Sequence, residues 1–132
     1  MLHSMESGLI LYAHGARDVR WTEPFEQLRV KVASRLPATD VMLAYLEFRE
    51  PDLAQAASRM AERGVHRIRV VPLFFGRGGH LREDFPRQLD AVRQELPQVQ
   101  FDVTMAAGED DGVLEALAAF AVGASATAVP EI

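Results

Sequence analysis

Apolar and polar positions follow two rhythms along the chain. "LILYA" (Leu9 to Ala13) is an unbroken apolar run of strand length, as expected of a strand covered on both faces. After "HGARD" the spacing turns helical. Phe25, Leu28, Val32 and Leu36 share one face, Pro24 stands in the first turn behind Thr22, and Pro37 closes the element. The two rhythms then repeat. "DVMLAYLEF" predicts a second strand, and "EPDLAQAASRMAERG" a second helix with Pro51 in its first turn and Gly64 at its C-cap. "HRIRVVPLFF" predicts a third, buried strand. A glycine-rich break follows, then an acidic helix start marked by Pro86, with Phe85, Leu89, Val92 and Leu96 as a buried stripe. In "VQFDVTM" the residues Val99, Phe101, Val103 and Met105 alternate with polar ones, which predicts a fourth strand with one solvated face. An Ala- and Leu-rich helix near Asp111 to Val122 ends the pattern.

Strand–helix alternation implies parallel strands joined by right-handed crossovers. The expected fold is α/β, a three-layer, doubly wound sandwich around a four-stranded parallel sheet. The length of 132 residues suits a single domain over 1–132, with flexible ends at 1–7 and 123–132. Apolar residues make up 48% of the chain, enough for a core.

Charge and cysteine usage narrow the function. A net charge of −5 disfavours general nucleic-acid binding. No apolar run is long enough to span a membrane, and "MLHSMESG" is not built like a signal peptide, so a cytoplasmic protein is expected. The absence of cysteine excludes disulfides, thiolate metal sites and cysteine nucleophiles; any metal must be held by His, Asp or Glu. Of the 14 basic residues 13 are Arg, a bias that suits carboxylate recognition and equally reflects a GC-rich genome.

In an open parallel sheet, ligands bind beyond the carboxyl ends of the strands. This chain puts His14 after the first strand, Glu47 at the end of the second and His80 after the third, at equal intervals of 33 residues. Two imidazoles and a carboxylate can hold Zn, Fe, Co or Ni and leave coordination positions open. Each residue also has a plainer reading. Either His could be a polar loop residue, and Glu47 a solvated carboxylate or one bonded to the next helix N-terminus. His66, at the start of the third strand, belongs to the opposite rim, and His3 to the terminus. Gly76, Gly78 and Gly79 let a ligand approach the backbone. "GRGGH" matches neither nucleotide-binding glycine pattern in position. Arg17, Arg49, Arg77 and Arg82 belong to the same rim and could bind several carboxylates, or pair with the neighbouring Asp18, Glu50, Glu83 and Asp84.

Three stretches in order, "AHGARD", "LEFREPDL" and "VVPLFFGRGGHLREDFP", resemble the short form of the class II tetrapyrrole chelatases, the CbiX and SirB group of sirohydrochlorin cobaltochelatases and ferrochelatases. The motif likeness runs from Leu9 to Pro86, and the architecture continues to the last helix. The resemblance implies a chelatase-like fold of flavodoxin-like topology, and an enzyme that inserts Co²⁺ or Fe²⁺ into sirohydrochlorin without ATP, for cobalamin or sirohaem; N/O ligands would accept Ni²⁺ as well. It makes His14 and His80 the metal ligands and Glu47 the site carboxylate, all three catalytic. Arg17, Arg49, Arg77, Gly78, Gly79 and Arg82 would meet the substrate. It implies no cofactor beyond the substrate metal, and a homodimer, because long relatives carry two such domains. Where the family often has Ser after His-Gly, this chain has Ala16. A non-catalytic metal or tetrapyrrole carrier is the alternative. A histidine phosphatase would want Arg where Ala13 stands, and a receiver domain an acceptor Asp where His14 stands.

Overall fold

A computed structural model of the protein describes residues 5–124 other than Arg77 and Gly79; for His80, Leu81, Arg82 and Ala124 it describes the backbone alone. Four strands and four helices alternate: β1 Ser7–Ala13, α1 Glu23–Arg35, β2 Thr39–Tyr45, α2 Leu53–Glu62, β3 Arg67–Pro72, α3 His80–Glu95, β4 Gln100–Val103 and α4 Asp111–Ala124. Short 3₁₀ turns at Val19–Thr22 and Ala107–Glu109 precede α1 and α4. The strands form one parallel sheet in the order β2-β1-β3-β4, so the chain reverses direction across the sheet between β1 and β3.

Register decides which side chains meet. Ile10 lies beside Met42 and Val70, while Leu11 lies beside Leu43 and Val71. The first set joins the inner core, where Ile10, Tyr12, Ile68 and Val70 pack against Ala56 and Met60 of α2 and Phe85, Leu89 and Val92 of α3. Each such large apolar side chain contributes about 1.5–3 kcal/mol by leaving water. The second set, with Val41 and Tyr45, packs under Phe25, Leu28 and Val32 of α1.

Local signals explain the helix ends. Asp52 caps α2 by accepting from the Gln55 N–H at 2.8 Å, and the Gln55 side chain accepts from the Asp52 N–H at 2.9 Å. This reciprocal pair satisfies two donors that the first turn leaves unbonded. Gly64, at φ +91, takes the left-handed step after the last turn.

Several boundaries differ from the expectation. β2 stops at Tyr45, because Phe48 at φ +68 turns the chain out of the sheet. Pro51 precedes the capping Asp52 and so lies outside the first turn of α2; its peptide bond with Glu50 is cis. Leu36 lies just past α1 and is exposed, as is Met105 past β4. β3 is not buried on both faces: Ile68 and Val70 are inside, but Arg67 and Arg69 are exposed on the outer face. α3 begins at His80, so Pro86 falls within the helix rather than at its start. Every residue of α4 whose side chain is described is exposed, including Leu114, Leu117 and Phe120. Among the described residues the outer layer thus consists of α1, over the β1–β2 half of the sheet. Ser7 is already paired in β1, whereas residues 1–4 and 125–132 of the expected flexible ends lie outside the described residues.

Candidate active site at the carboxyl rim

His14 is the first residue after β1. It is exposed, and its ring rests on the ring of Phe74, with centroids 4.4 Å apart. Phe74 is buried and stacks in turn against Tyr12, whose ring also meets Phe85 of α3. The Tyr12 hydroxyl donates to the Gln88 side chain of the same helix. Burial, with the Asp52 carboxylate beside it, pushes the Tyr12 pKa up, so the phenol stays protonated and serves as a structural donor. His14 is therefore seated on an aromatic floor, with its ring at the surface.

Glu47 lies in the segment that leaves β2. It too is exposed, so the cost of an unpaired buried carboxylate does not arise. Backbone bonds tie this segment to the one carrying His14: the Leu46 N–H donates to the Ala13 carbonyl at 2.8 Å and the Glu47 N–H to the His14 carbonyl at 3.0 Å. Gly15 makes that approach possible. It takes φ +87, and a Cβ there would stand 2.0 Å from the Glu47 carbonyl oxygen. Arg49 adds a brace, its guanidinium donating to the carbonyls of Ala16 at 3.1 Å and Arg17 at 3.0 Å. Arg17 lies over the Phe48 ring, 4.8 Å from its centroid.

The structure thus brings the His14 and Glu47 segments together. The backbone of His80 opens α3, whereas the sequence reading placed His80 ahead of the helix, and its side chain lies outside the described residues. Among the described residues no three His, Asp or Glu side chains form a metal-holding group. Gly78 is exposed, with open space where a Cβ would go. Arg77, Gly79 and the Arg82 side chain lie outside the described residues. His66 is exposed at the opposite end of the sheet, as expected. Asp18 is held by Arg20 at 2.7 Å rather than by Arg17, and that guanidinium lowers the Asp18 pKa.

Sequence reasoning missed Phe74 as the support of His14, Arg49 as a brace and Phe48 altogether. The glycine directly after His14 was the available signal for a close crossing of loops. Large exposed apolar side chains occupy the segments that follow three different strands: Trp21 after β1 (72% exposed), Phe48 after β2 (53%) and Phe75 after β3 (73%). A groove of about 860 Å³ lies elsewhere, along the amino ends of the strands beside Ser7, Arg67 and Gln100. No helix among the described residues is long and apolar enough to cross a membrane.

The sequence profile of the CbiX family matches residues 8–121. The sirohydrochlorin cobaltochelatase of Sulfurisphaera tokodaii is 30% identical over 112 residues, covering 83% of this chain and 87% of its own. That of Methanocaldococcus jannaschii is 37% identical over 84 residues, covering 64% of this chain and 59% of its own. Among solved structures, the putative cobalamin biosynthesis CbiX protein of Marinobacter aquaeolei superposes with a TM-score of 0.83 at 30% identity, over 92% of this chain and 99% of that one. The sirohydrochlorin chelatase SirB of Bacillus subtilis, solved with cobalt, shares the fold with a TM-score of 0.72 at 19% identity, over 90% of this chain and 51% of its own. With most of its length matched by the family profile, and its motifs on the rim where the fold carries ligands, the chain belongs to the CbiX family and is a metal chelatase.

Proposed function

We propose that this chain inserts Co²⁺ into sirohydrochlorin on the way to cobalamin, without ATP and with no cofactor beyond the substrate metal. One observation carries the reading: His14 and Glu47 stand on segments stitched together at the carboxyl rim, among exposed aromatic residues and on the rim where α3 begins at His80. Cobalt is preferred over iron because the relatives are named as cobaltochelatases.

The chemistry fits these side chains. Metal insertion expels two pyrrole protons, so the site needs donors that release the metal and a base that accepts a proton. His14 and His80 as neutral imidazoles hold the ion, with Glu47 beside them as a third donor or as the proton acceptor. Arg17, Arg77 and Arg82 meet the carboxylates of the macrocycle, and Gly78 and Gly79 leave room for its edge. Arg49 already spends two donors on backbone carbonyls, so its part is to hold the loops in place.

The same reading makes the working form a cytoplasmic homodimer. α4 carries Leu114, Leu117 and Phe120 exposed, together with Asp111 and Glu115 and no Lys or Arg. The outer face of β3 presents Arg67 and Arg69, beside the groove that Arg93 also lines. The exposed apolar side chains of α4 and the uncovered outer face of β3, where Arg69 is paired with Asp102 at 2.6 Å, are both surfaces that a second copy would cover.

Anaerobic absorbance of sirohydrochlorin with Co²⁺, and separately with Fe²⁺, tests the proposal in the absence of ATP. Wild type accelerates metallation well above the spontaneous rate, faster with Co²⁺, and His14→Ala or His80→Ala lowers that acceleration by about 10²-fold or more. Binding of both metal and macrocycle with no acceleration would instead make the protein a carrier.

A further inference from the structure

We infer that Phe48 is a substrate-binding residue, the wall on which one face of a flat, conjugated, polyanionic ring stacks, with Arg17 bound to the same wall as its charge partner. The inference rests on the chelatase reading and gives a role to a residue outside the donor set, Phe48 of "LEFREPDL".

The observation that starts it is a conflict. Phe48 is the one non-glycine residue at positive φ among the described residues, at +68. Left-handed backbone is costly for a bulky side chain, and Gly or Asn would relieve it. Strain of this kind persists where the surroundings over-determine it, and it collects at sites that use it. The fold gives Phe48 no core position in return, since the residue remains 53% exposed. A position that is unfavourable in backbone and in solvation is explained if the ring is needed where it stands.

The surroundings hold the segment that carries the ring. On one side the Glu47 N–H is bonded to the His14 carbonyl. On the other, Arg49 donates to the carbonyls of Ala16 and Arg17. Phe48 lies between these anchors, so its backbone is held on both sides, and Arg17 packs on its ring. The Arg17 guanidinium lies 4.8 Å from the ring centroid and occupies one side of it. Its charge is thereby held at the rim, within three residues of His14, against a ring whose exposed surface faces water. Aromatic faces accept flat π systems in offset stacking, and a guanidinium on the same ring offers paired N–H groups to a carboxylate. The pair matches a ligand that is flat in the middle and acidic at the edge.

The test separates this inference from the reading beneath it. Metal-free sirohydrochlorin is titrated into wild type, Phe48→Ala, Phe48→Trp and Phe48→Gly, followed by absorbance, with thermal unfolding and sedimentation on each. Phe48→Ala and Phe48→Gly weaken binding about threefold to tenfold, and Phe48→Trp restores it. Phe48→Gly unfolds at the same temperature as wild type or higher, because it relieves the backbone; a merely structural Phe48 would lower that temperature. If wild type binds and all three variants bind equally well, this inference falls and the chelatase reading stands. The inference falls likewise if Phe48→Ala changes the oligomeric state while affinity is kept. If wild type binds no tetrapyrrole, both fall.

Discussion

The two halves of the sheet are built differently. In the β1–β2 half both faces are covered, by α1 outside and by α2 within, and the segments beyond the strands are joined by backbone bonds. In the β3–β4 half the inner face is as well packed, but the outer face carries exposed Arg67 and Arg69, and the helix that follows, α4, stands exposed. The first half is complete in one chain and holds His14 and Glu47. The second leaves the outer face of β3 and every described side chain of α4 to solvent. One half is covered by its own helices and stitched by backbone bonds, while the other is covered on the inner side only.

The largest expected effect tests the rigidity of the first half. Gly15→Ala should cost about 3 kcal/mol or more in urea unfolding, from left-handed strain plus the clash with the Glu47 carbonyl. The same change at Gly78, in the loop of the other half, meets open space and should stay within about 0.5 kcal/mol. Equal losses at both sites would erase the contrast.

Next in size is a change to the second half. Leu117→Asp places a charge on the exposed apolar surface of α4 and should weaken self-association by about 2 kcal/mol in sedimentation equilibrium, with the monomer's unfolding unchanged. A variant as dimeric as wild type would remove α4 from the interface.

Smallest is a pH effect centred on Tyr12 of the first half. Its pKa is raised in the fold from an ordinary value of 10.0, so the native state keeps the proton when the unfolded chain loses it. The stability it contributes is complete below pH 10 and declines above it, by about 1.4 kcal/mol per pH unit. Tyr45, also raised, chiefly by burial, acts in the same direction. Tyr12→Phe should make the alkaline decline of stability shallower; an unchanged slope would show that the phenol is not sealed from water.

Periodicity made the strand–helix alternation legible, and with it the rim on which the candidate donors stand. It failed where apolar residues serve something other than a strand. Phe48 extended the expected second strand because a sequence does not display φ. Phe74 and Phe75 extended the third, although Phe74 is used to seat His14 and Phe75 is exposed. Pro86 was taken as a helix start because proline favours first turns, yet α3 accommodates it one and a half turns in. α4 was readable as a helix, but its being apolar all round could not say whether its cover lies in this chain or outside it.

The aromatic floor beneath His14 has a mechanical consequence. The His14 ring rests on Phe74, Phe74 on Tyr12, and Tyr12 on Phe85 and Gln88 of the helix whose first residue is His80. His14 is thus linked to the body of α3 through a chain of ring contacts. Closely packed rings compress very little. The distance from the His14 ring to the body of α3 is then held by tilted ring contacts as well as by the loop, so a shift of α3 reaches His14 without any change in the loop that carries it.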